Sequence, residues 1–488
     1  MNTNETIRHK AIKGGEWIFA LRIITRLFDL VRTLILARLL VPSDFGLIGI
    51  AIISMSALET FSQTGFETAL IRKKSITSQF LDTTWSILLL RGIFLFVVIF
   101  ASAPLVATFF KNPQVTNVLR VISISLILSG ISNIGVLYFT KELEFRKQFT
   151  LQISSVIANT VISIPLAILF RNVWALVLGL LAGSVTYCLM SYLMHPYRPK
   201  FKIEPEKAKE LLNFGKYVFV SGILIFFITQ GDDIFVGRFL GAAALGLYAM
   251  AYKLSNMPVT EISHTISNVT FPVYSKLQDN KIALRETHLK TTQIIALISF
   301  PLAGGLLVLA PELTQHLLGS KWMGMVPAMQ ILCLYGIMRA IASPSGSFYY
   351  AIKRPDIPTK ISFLQLALFA ILVYPITMKF GITGAAMATT IPMIVAHSIG
   401  TGIFIKKIDC SASRFFKNIL APIGGTSVMM GTIFGVRMLF HKPMNLQGLI
   451  ISILLGILVY ILFSYSIDSL LKTGLRSNIS VIFQELRR

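Results

Sequence analysis

Charge is what this sequence has least of. Only 14% of its 488 residues are Asp, Glu, Lys or Arg, against roughly 25% in an ordinary soluble domain. Hydrophobic residues make up 54%, and the mean hydropathy is +0.71. So little polar material cannot cover a water-exposed globule, which excludes a soluble enzyme of this length. Acids are scarcer still: 22 Asp and Glu against 45 Lys and Arg leave a net charge of +23. An excess of this size suits nucleic acid or an anionic membrane surface. The basic residues are scattered in small groups between apolar runs and are not gathered on a polar domain, so membrane lipid is the expected partner and nucleic acid is not.

Cysteine is nearly absent. Cys188, Cys333 and Cys410 are an odd number without metal-ligand spacing, so they read as packing residues and neither a disulfide framework nor a zinc site is expected. The nucleotide-binding P-loop and the HExxH and GxSxG arrangements are missing, which argues against an ATP-driven pump and against hydrolase chemistry. No cofactor is expected. The polar, basic start from Met1 to Lys13 leads into a segment interrupted by Arg22, Arg26, Asp29 and Arg32, which is not the pattern of a cleaved signal peptide.

What is present is a succession of apolar runs near the length of about 20 residues that spans a bilayer as a helix. Segmentation at charges, prolines and glycines predicts an all-α polytopic protein with about fourteen spans. The first six cover 14–36, 44–66, 80–106, 115–139, 151–170 and 173–193. The next six cover 212–235, 245–271, 291–309, 325–349, 361–378 and 382–405, and the last two cover 416–439 and 446–466. Orientation follows from Lys and Arg, which concentrate in short cytoplasmic loops. With both ends inside, the outward segments hold only Arg38, Lys111, Arg171, Arg238, Lys321, Lys379, Arg437 and Lys442, one or two per loop. The outward loops reach on the order of 15 residues, ordinary connections that leave no room for an outer domain.

The longest cytoplasmic connection, 195–211, follows the sixth span. Shifting the sequence by 200 residues places Gly15 on Gly215, Arg38 on Arg238, Leu40 on Leu240, Gly46 on Gly246 and Leu47 on Leu247. LARLLVPSDFGL therefore echoes VGRFLGAAALGL at the turn after the first span of each half. Two pseudo-symmetric six-helix bundles are expected, 1–200 and 201–410, followed by two additional helices and a cytoplasmic tail in 411–488. An even number of spans per bundle makes both enter the membrane in one direction, with an axis along the membrane normal and a central cavity, as in a transporter.

Ionisable groups inside a bilayer are costly unless they face protein or water, so each is a functional candidate. Arg22, Arg26 and Asp29 lie at i, i+4 and i+7 on one helical face that Arg32 and Thr33 continue. Three guanidiniums and one carboxylate make a net positive stripe whose forks match phosphate oxygens. In the second span Ser56, Glu59, Gln63 and Glu67 recur at helical spacing. They suit either the cavity or neutralisation of the first span's arginines. Asp232 and Asp233 stand near the outer end of the seventh span, where they suit cation or proton binding as well as plain hydration. The eighth span carries the polar stripe Tyr252, Asn256, Thr260, His264 and Ser267, flanked by Lys253 and Glu261. Such a stripe is expected to line a cavity, with His264 either a proton carrier or a hydrogen-bonded structural histidine. Arg339, followed by Ser343, Ser347 and Tyr350, joins the cavity set; Arg91 has no polar companions of that kind and stays outside it.

Several strings carry a family resemblance: LARLLVPSDFGLIGIA (36–51), TGFETALIRKK (64–74), QGDDIFVGRFLGAAALGLYAMAYKLSNMP (230–258), FPVYSKLQD (271–279) and LAPELTQHLLGSKW (309–322). They resemble the polysaccharide transporter, or Wzx-like, family of the multidrug/oligosaccharidyl-lipid/polysaccharide flippase superfamily, and within it the colanic-acid and lipopolysaccharide exporter branch. The resemblance implies alternating access in a bacterial inner membrane and a cargo of undecaprenyl-diphosphate-linked oligosaccharide, turned from the cytoplasmic to the outer leaflet. It also implies a polysaccharide polymerase and a chain-length regulator as partners. Arg22, Arg26, Asp29, Arg32, Glu59, Lys253, Asn256 and Arg339 are then the candidate substrate-binding residues, and Asp232, Asp233, Glu59 and His264 the candidates for ion coupling. Two other readings are a cation-coupled drug or metabolite exporter on the same scaffold, against which the basic first span speaks, and a membrane-embedded glycan-processing enzyme.

Overall fold

The computed structural model describes residues 3–62, 77–439 and 445–471. These are helical, with no strand among them. The helices are α1 (Thr3–Leu39), α2 (Pro42–Phe61), α3 (Ser78–Phe109), α4 (Gln114–Ile122), α5 (Ile124–Ile131), α6 (Leu137–Lys141), α7 (Phe145–Phe170) and α8 (Trp174–Met194). They continue with α9 (Pro205–Phe239), α10 (Ala242–Lys276), α11 (Lys281–Leu313), α12 (Val326–Ala351), α13 (Asp356–Lys407), α14 (Ala412–Leu439) and α15 (Leu446–Leu471).

Among the described residues ten helices are long and apolar enough to cross a membrane. The reading of fourteen spans additionally needs α1, α9 and α10, which carry several of the intramembrane charges, and a division of α13. Gly381 supplies that division: its backbone turns to φ 60° and ψ −139°, so the 52-residue α13 is two helices meeting at a break. Positive φ is cheap for glycine alone. The fourth expected span, 115–139, is shorter than its hydropathy suggested. Helix α5 stops at Ile131, and Asn133 accepts a hydrogen bond from the Gly135 amide at 2.9 Å to start a 3₁₀ turn. Apolar side chains face outward in number, among them Leu193 (78% exposed), Leu169 (73%) and Leu105 (71%), as a lipid-facing surface requires.

The chain forms two compact units, Met1–Gly246 and Leu247–Arg488. In the first, helices approach through small residues, the usual solution where lipid removes the hydrophobic drive between helices. Gly92 on α3 and Gly130 on α5 face each other's helix so closely that a Cβ at either would lie 2.6 Å from Leu126 O or 2.8 Å from Leu88 O. Ser155 Oγ on α7 donates to Gly183 O on α8 at 2.9 Å. Helix α9 meets α2 through the edge-to-face pair Phe61–Phe226, 5.3 Å between centroids.

The connection after α8 is a strap laid on the start of α3. Tyr197 Oη and the Lys200 amide both donate to Asp82 Oδ1, the Lys202 amide donates to Ser86 Oγ at 2.9 Å, and Asn133 Nδ2 donates to Tyr197 O at 2.7 Å. Burial and the Asp82 carboxylate push the Tyr197 phenol above its usual range. Burial, with Lys147 nearby, holds His195 below the ordinary imidazole value.

In the second unit a cluster around Tyr274, Phe348 and Phe404 joins α10 to α13. Val259, Ile295, Ala303, Cys333 and Ala340 pack α10, α11 and α12 together. Helices α14 and α15 are fastened to α11 by Met429, Ile433, Leu449 and Tyr460, whose hydroxyl donates to Leu297 O at 2.7 Å. All three cysteines are buried free thiols.

Candidate functional site

The basic stripe of α1 is continuous in the structure. Arg26 is exposed, and Arg22, Asp29 and Arg32 are half-buried. Arg32 Nη2 donates to Asp29 Oδ1 at 2.6 Å. The spacing of three residues brings these groups onto one face, and the pair joins Arg32 to the carboxylate that the sequence had set beside Arg22 and Arg26. Thr25 and Thr33 return their hydroxyls to the carbonyls of Leu21 and Asp29, both at 2.6 Å. The helix therefore presents three guanidiniums and one carboxylate on a turn-by-turn ladder whose hydroxyls are satisfied internally.

Glu59 lies near the end of α2 with its side chain exposed. Arg91 on α3, placed outside the cavity from sequence, has a positioning role. Its Nη2 donates to Glu59 O at 2.9 Å and its Nε to Ser62 Oγ at 3.0 Å. A cation at the C-terminal carbonyls of a helix answers the negative end of its dipole. Gln63 and Glu67 lie outside the described residues.

The second unit holds a separate polar cluster between α10 and α12. Arg339 Nη1 donates to Tyr252 Oη at 3.3 Å, and Tyr252 and Tyr335 lie 5.9 Å apart in a tilted arrangement. Asn256 is 3% exposed; its Nδ2 donates to Ser255 Oγ at 3.1 Å and to Tyr252 O at 3.3 Å. Its Oδ1 faces Gly336, where a Cβ would stand 3.4 Å away. One turn further, Ser343 Oγ donates to Ser263 O at 3.4 Å. Asn256 and Arg339, candidates from different spans, are thus joined through Tyr252, with Lys253 half-buried beside them. Tyr335 is a residue the sequence reading missed, although its position four residues before Arg339 puts it on the same face. The side chains of His264, Glu261 and Ser267 lie outside the described residues.

On α9, Asp232 is buried and its neighbour Asp233 half-buried, with Asp233 Oδ1 out of contact with solvent. The Arg238 guanidinium stacks 5.1 Å above the Phe109 ring. Also missed from sequence is the pair Glu312–Arg437 between α11 and α14, Oε1 to Nε 2.9 Å, with Glu312 only 8% exposed. Distance along the chain hid it. Among the described residues no group of three or more His, Cys, Asp or Glu could hold a metal ion.

Comparison with known proteins agrees with this all-helical, charge-punctuated architecture. The chain matches the polysaccharide biosynthesis protein family over residues 35–327. It is 26% identical over 398 residues to the lipopolysaccharide biosynthesis protein WzxC of Escherichia coli (strain K12), covering 81% of this chain and 80% of that protein. It is 27% identical over 403 residues to the teichuronic acid biosynthesis protein TuaB of Bacillus subtilis (strain 168), covering 81% and 83%. In fold it resembles the lipid II flippase MurJ in an inward closed conformation, with a TM-score of 0.76 at 18% identity over 92% of this chain and 98% of that one. An inward-facing multidrug resistance MATE family transporter of the MOP superfamily follows at TM-score 0.61 and 16% identity, covering 79% and 94%. The chain belongs to the polysaccharide biosynthesis protein family, as a polytopic, Wzx-like membrane transporter with the helical fold of the MOP superfamily.

Proposed function

We propose that this protein flips a lipid-linked oligosaccharide, carried on undecaprenyl diphosphate, from the cytoplasmic to the outer leaflet of a bacterial inner membrane. The observation that carries the reading is the α1 stripe, in which Arg22, Arg26 and Arg32 outnumber Asp29 on a helix of an otherwise apolar, membrane-embedded bundle. A diphosphate offers several oxygens to more than one planar guanidinium, and charge-assisted bonds in a partly dehydrated setting are stronger than neutral ones. Arg22 and Arg26 bind the diphosphate, while Asp29 and Arg32 set the geometry and limit the net charge. Arg339, Asn256 and Lys253, with the Tyr252 and Tyr335 rings, receive sugars, since aromatic faces and hydrogen-bonding side chains together suit a glycan. Glu59 belongs to the same substrate path, and Asp232, Asp233, Glu59 and His264 are the candidates for the driving proton or cation.

The names and folds of the relatives support lipid-linked glycan flipping in general and transport in place of bond-making chemistry. Alternating access of two six-helix bundles, 1–200 and 201–410, with 411–488 as an added pair of helices and a tail, is the corresponding mechanism. Both termini lie in the cytoplasm, and a polysaccharide polymerase and a chain-length regulator act downstream on the flipped product.

The test uses the purified protein in vesicles loaded with an undecaprenyl-diphosphate-linked oligosaccharide. Appearance of the glycan on the opposite leaflet, with its covalent structure unchanged, is the expected result. A chemically altered product would replace this reading with the enzyme, and drug efflux without glycan movement would replace it with the exporter. Orientation is checked separately with Lys207→Cys and Lys442→Cys after replacement of Cys188, Cys333 and Cys410. In intact cells an impermeant thiol reagent should modify the second and spare the first.

A further inference from the structure

The strap between α8 and α9 is amphipathic with the period of a strand. From Lys200 to Glu204 every second amide donates to α3: Lys200 to Asp82 Oδ1 at 2.8 Å, Lys202 to Ser86 Oγ at 2.9 Å and Glu204 to Thr83 Oγ1 at 3.2 Å. Donors at i, i+2 and i+4 along one edge require an extended chain, whose side chains stand alternately on two faces. Lys200 and Lys202 share one face, and Phe201 and Ile203 the other. Arg198 adds a third basic group two residues earlier. All five are exposed, Phe201 by 63% and Ile203 by 41%.

Depth, continuity and charge identify what covers these side chains. Asp82 and Ser86 are the fifth and ninth residues of α3, so the strap lies about 6–12 Å from the helix start at a rise of 1.5 Å per residue. A helix of 32 residues is about 48 Å long. Centred on a hydrocarbon core of about 30 Å, it crosses the headgroup boundary about 9 Å from its start, the depth of the strap. Leu193, in the last turn of α8, is 78% exposed, so the lipid-facing surface of that helix continues to the beginning of the strap. The acids nearby leave the strap positive. Asp82 accepts from Tyr197 and the Lys200 amide, and Glu204 answers Lys202 at 3.3 Å while the Lys202 side chain stays 58% exposed. Basic groups beside an aromatic ring at headgroup depth match an anionic phospholipid in both its parts.

We propose that residues 198–203 bind anionic phospholipid of the cytoplasmic leaflet, with the lysine ammoniums on phosphate and Phe201 and Ile203 among the first acyl methylenes. The inference rests on the cytoplasmic placement of 195–211 in the flippase reading. It concerns a different element from the α1 stripe, which is assigned to cargo. The strap is held in place by α3, so its basic face is presented before lipid arrives. Arg198 also shapes the strap, donating through Nη1 to His195 O at 2.7 Å and Tyr197 O at 3.0 Å, and is left intact in the test.

The test uses full-length protein with Cys188, Cys333 and Cys410 replaced and a bimane fluorophore on Ile203→Cys, reconstituted in phosphatidylcholine vesicles. A quencher is added as phosphatidylglycerol or as phosphatidylcholine, each with a nitroxide on the upper acyl chain. Phosphatidylglycerol is expected to quench at a membrane content about tenfold lower than phosphatidylcholine. Lys200→Gln/Lys202→Gln should abolish that preference, since each lysine near an anionic surface is worth about 1 kcal/mol, or roughly fivefold. Equal quenching by the two lipids overturns the inference, as does a preference that survives the double substitution. Absence of quenching by either lipid shows the strap standing off the membrane and overturns it too. The readout needs neither flipping nor one orientation in the vesicle, so failure of the underlying reading looks different: no glycan moves, or Lys207→Cys is labelled from outside intact cells.

Discussion

The α1 stripe and the α10–α12 cluster solve the same problem, polar groups at membrane depth, in opposite ways. On α1 the charged groups are exposed or half-buried, and the described ion pair is within the helix, Arg32 to Asp29. Between α10 and α12 the groups are bound across helices, Arg339 to Tyr252 and Ser343 to Ser263, and Asn256 is buried. A group held by its own helix, as Arg32 is by Asp29, can turn toward an incoming anion at small cost. A group held by a neighbouring helix is preorganised, and its direction is fixed before ligand arrives. The difference teaches that formal charge locates a candidate site, while the partner's position decides whether the site adapts or is rigid.

Six variants break or sharpen this contrast. The largest effect is expected from charge reversal on α1. Arg26→Glu should lower flipping by about 100-fold or more at normal membrane insertion, since lost charge contacts of this kind cost about 2–5 kcal/mol. Arg26→Lys should keep part of the activity, because the charge remains and the planar fork does not. Next comes the pair Arg26→Leu/Asp29→Leu. Transport near the wild-type rate at matched expression would make the stripe a structural feature, whereas its loss supports binding by the guanidinium.

In the cluster, Tyr252→Phe removes one hydrogen bond to a charged group, worth about 1.5–3 kcal/mol. A fall of roughly tenfold or more in glycan flipping is expected, and Arg339→Ala should do more. If Tyr252→Phe behaves as wild type while Arg339→Ala is inactive, the rigid half of the contrast fails. The smallest effect on transport is expected for Arg91→Met, which leaves Glu59 O and Ser62 Oγ without that partner. Its signature should be a lower thermal midpoint in detergent with the flipping rate little changed; a transport defect without loss of stability would move Arg91 into the substrate path.

Helical periodicity showed the α1 stripe in the sequence because its members are three and four residues apart. Tyr252 and Asn256 on α10 stood out for the same reason, whereas the repeat showed through the 200-residue offset between the two halves. Tyr335 stood one turn from Arg339 but lacked charge, so hydropathy hid it among apolar neighbours. Glu312 and Arg437 were out of reach, since 125 positions separate the partners that meet at 2.9 Å. Arg91 was set aside for want of polar companions along its own helix, yet it donates to carbonyl and hydroxyl oxygens at the end of α2.

By itself the sequence determined the class of the molecule: an apolar, helical, membrane-spanning chain with basic residues on one helical face and a duplicated turn. Apolar length, charge scarcity and periodicity act locally and need no knowledge of neighbours. Only the tertiary structure decided that Arg91 holds the end of α2, that Asn256 and Arg339 meet through Tyr252, and that Gly46 and Gly246 are glycines because each faces a backbone carbonyl under 2 Å from where a Cβ would stand. These depend on which helix lies beside which. In a bilayer that choice is made by close packing and interhelical hydrogen bonds, neither of which leaves a mark on hydropathy.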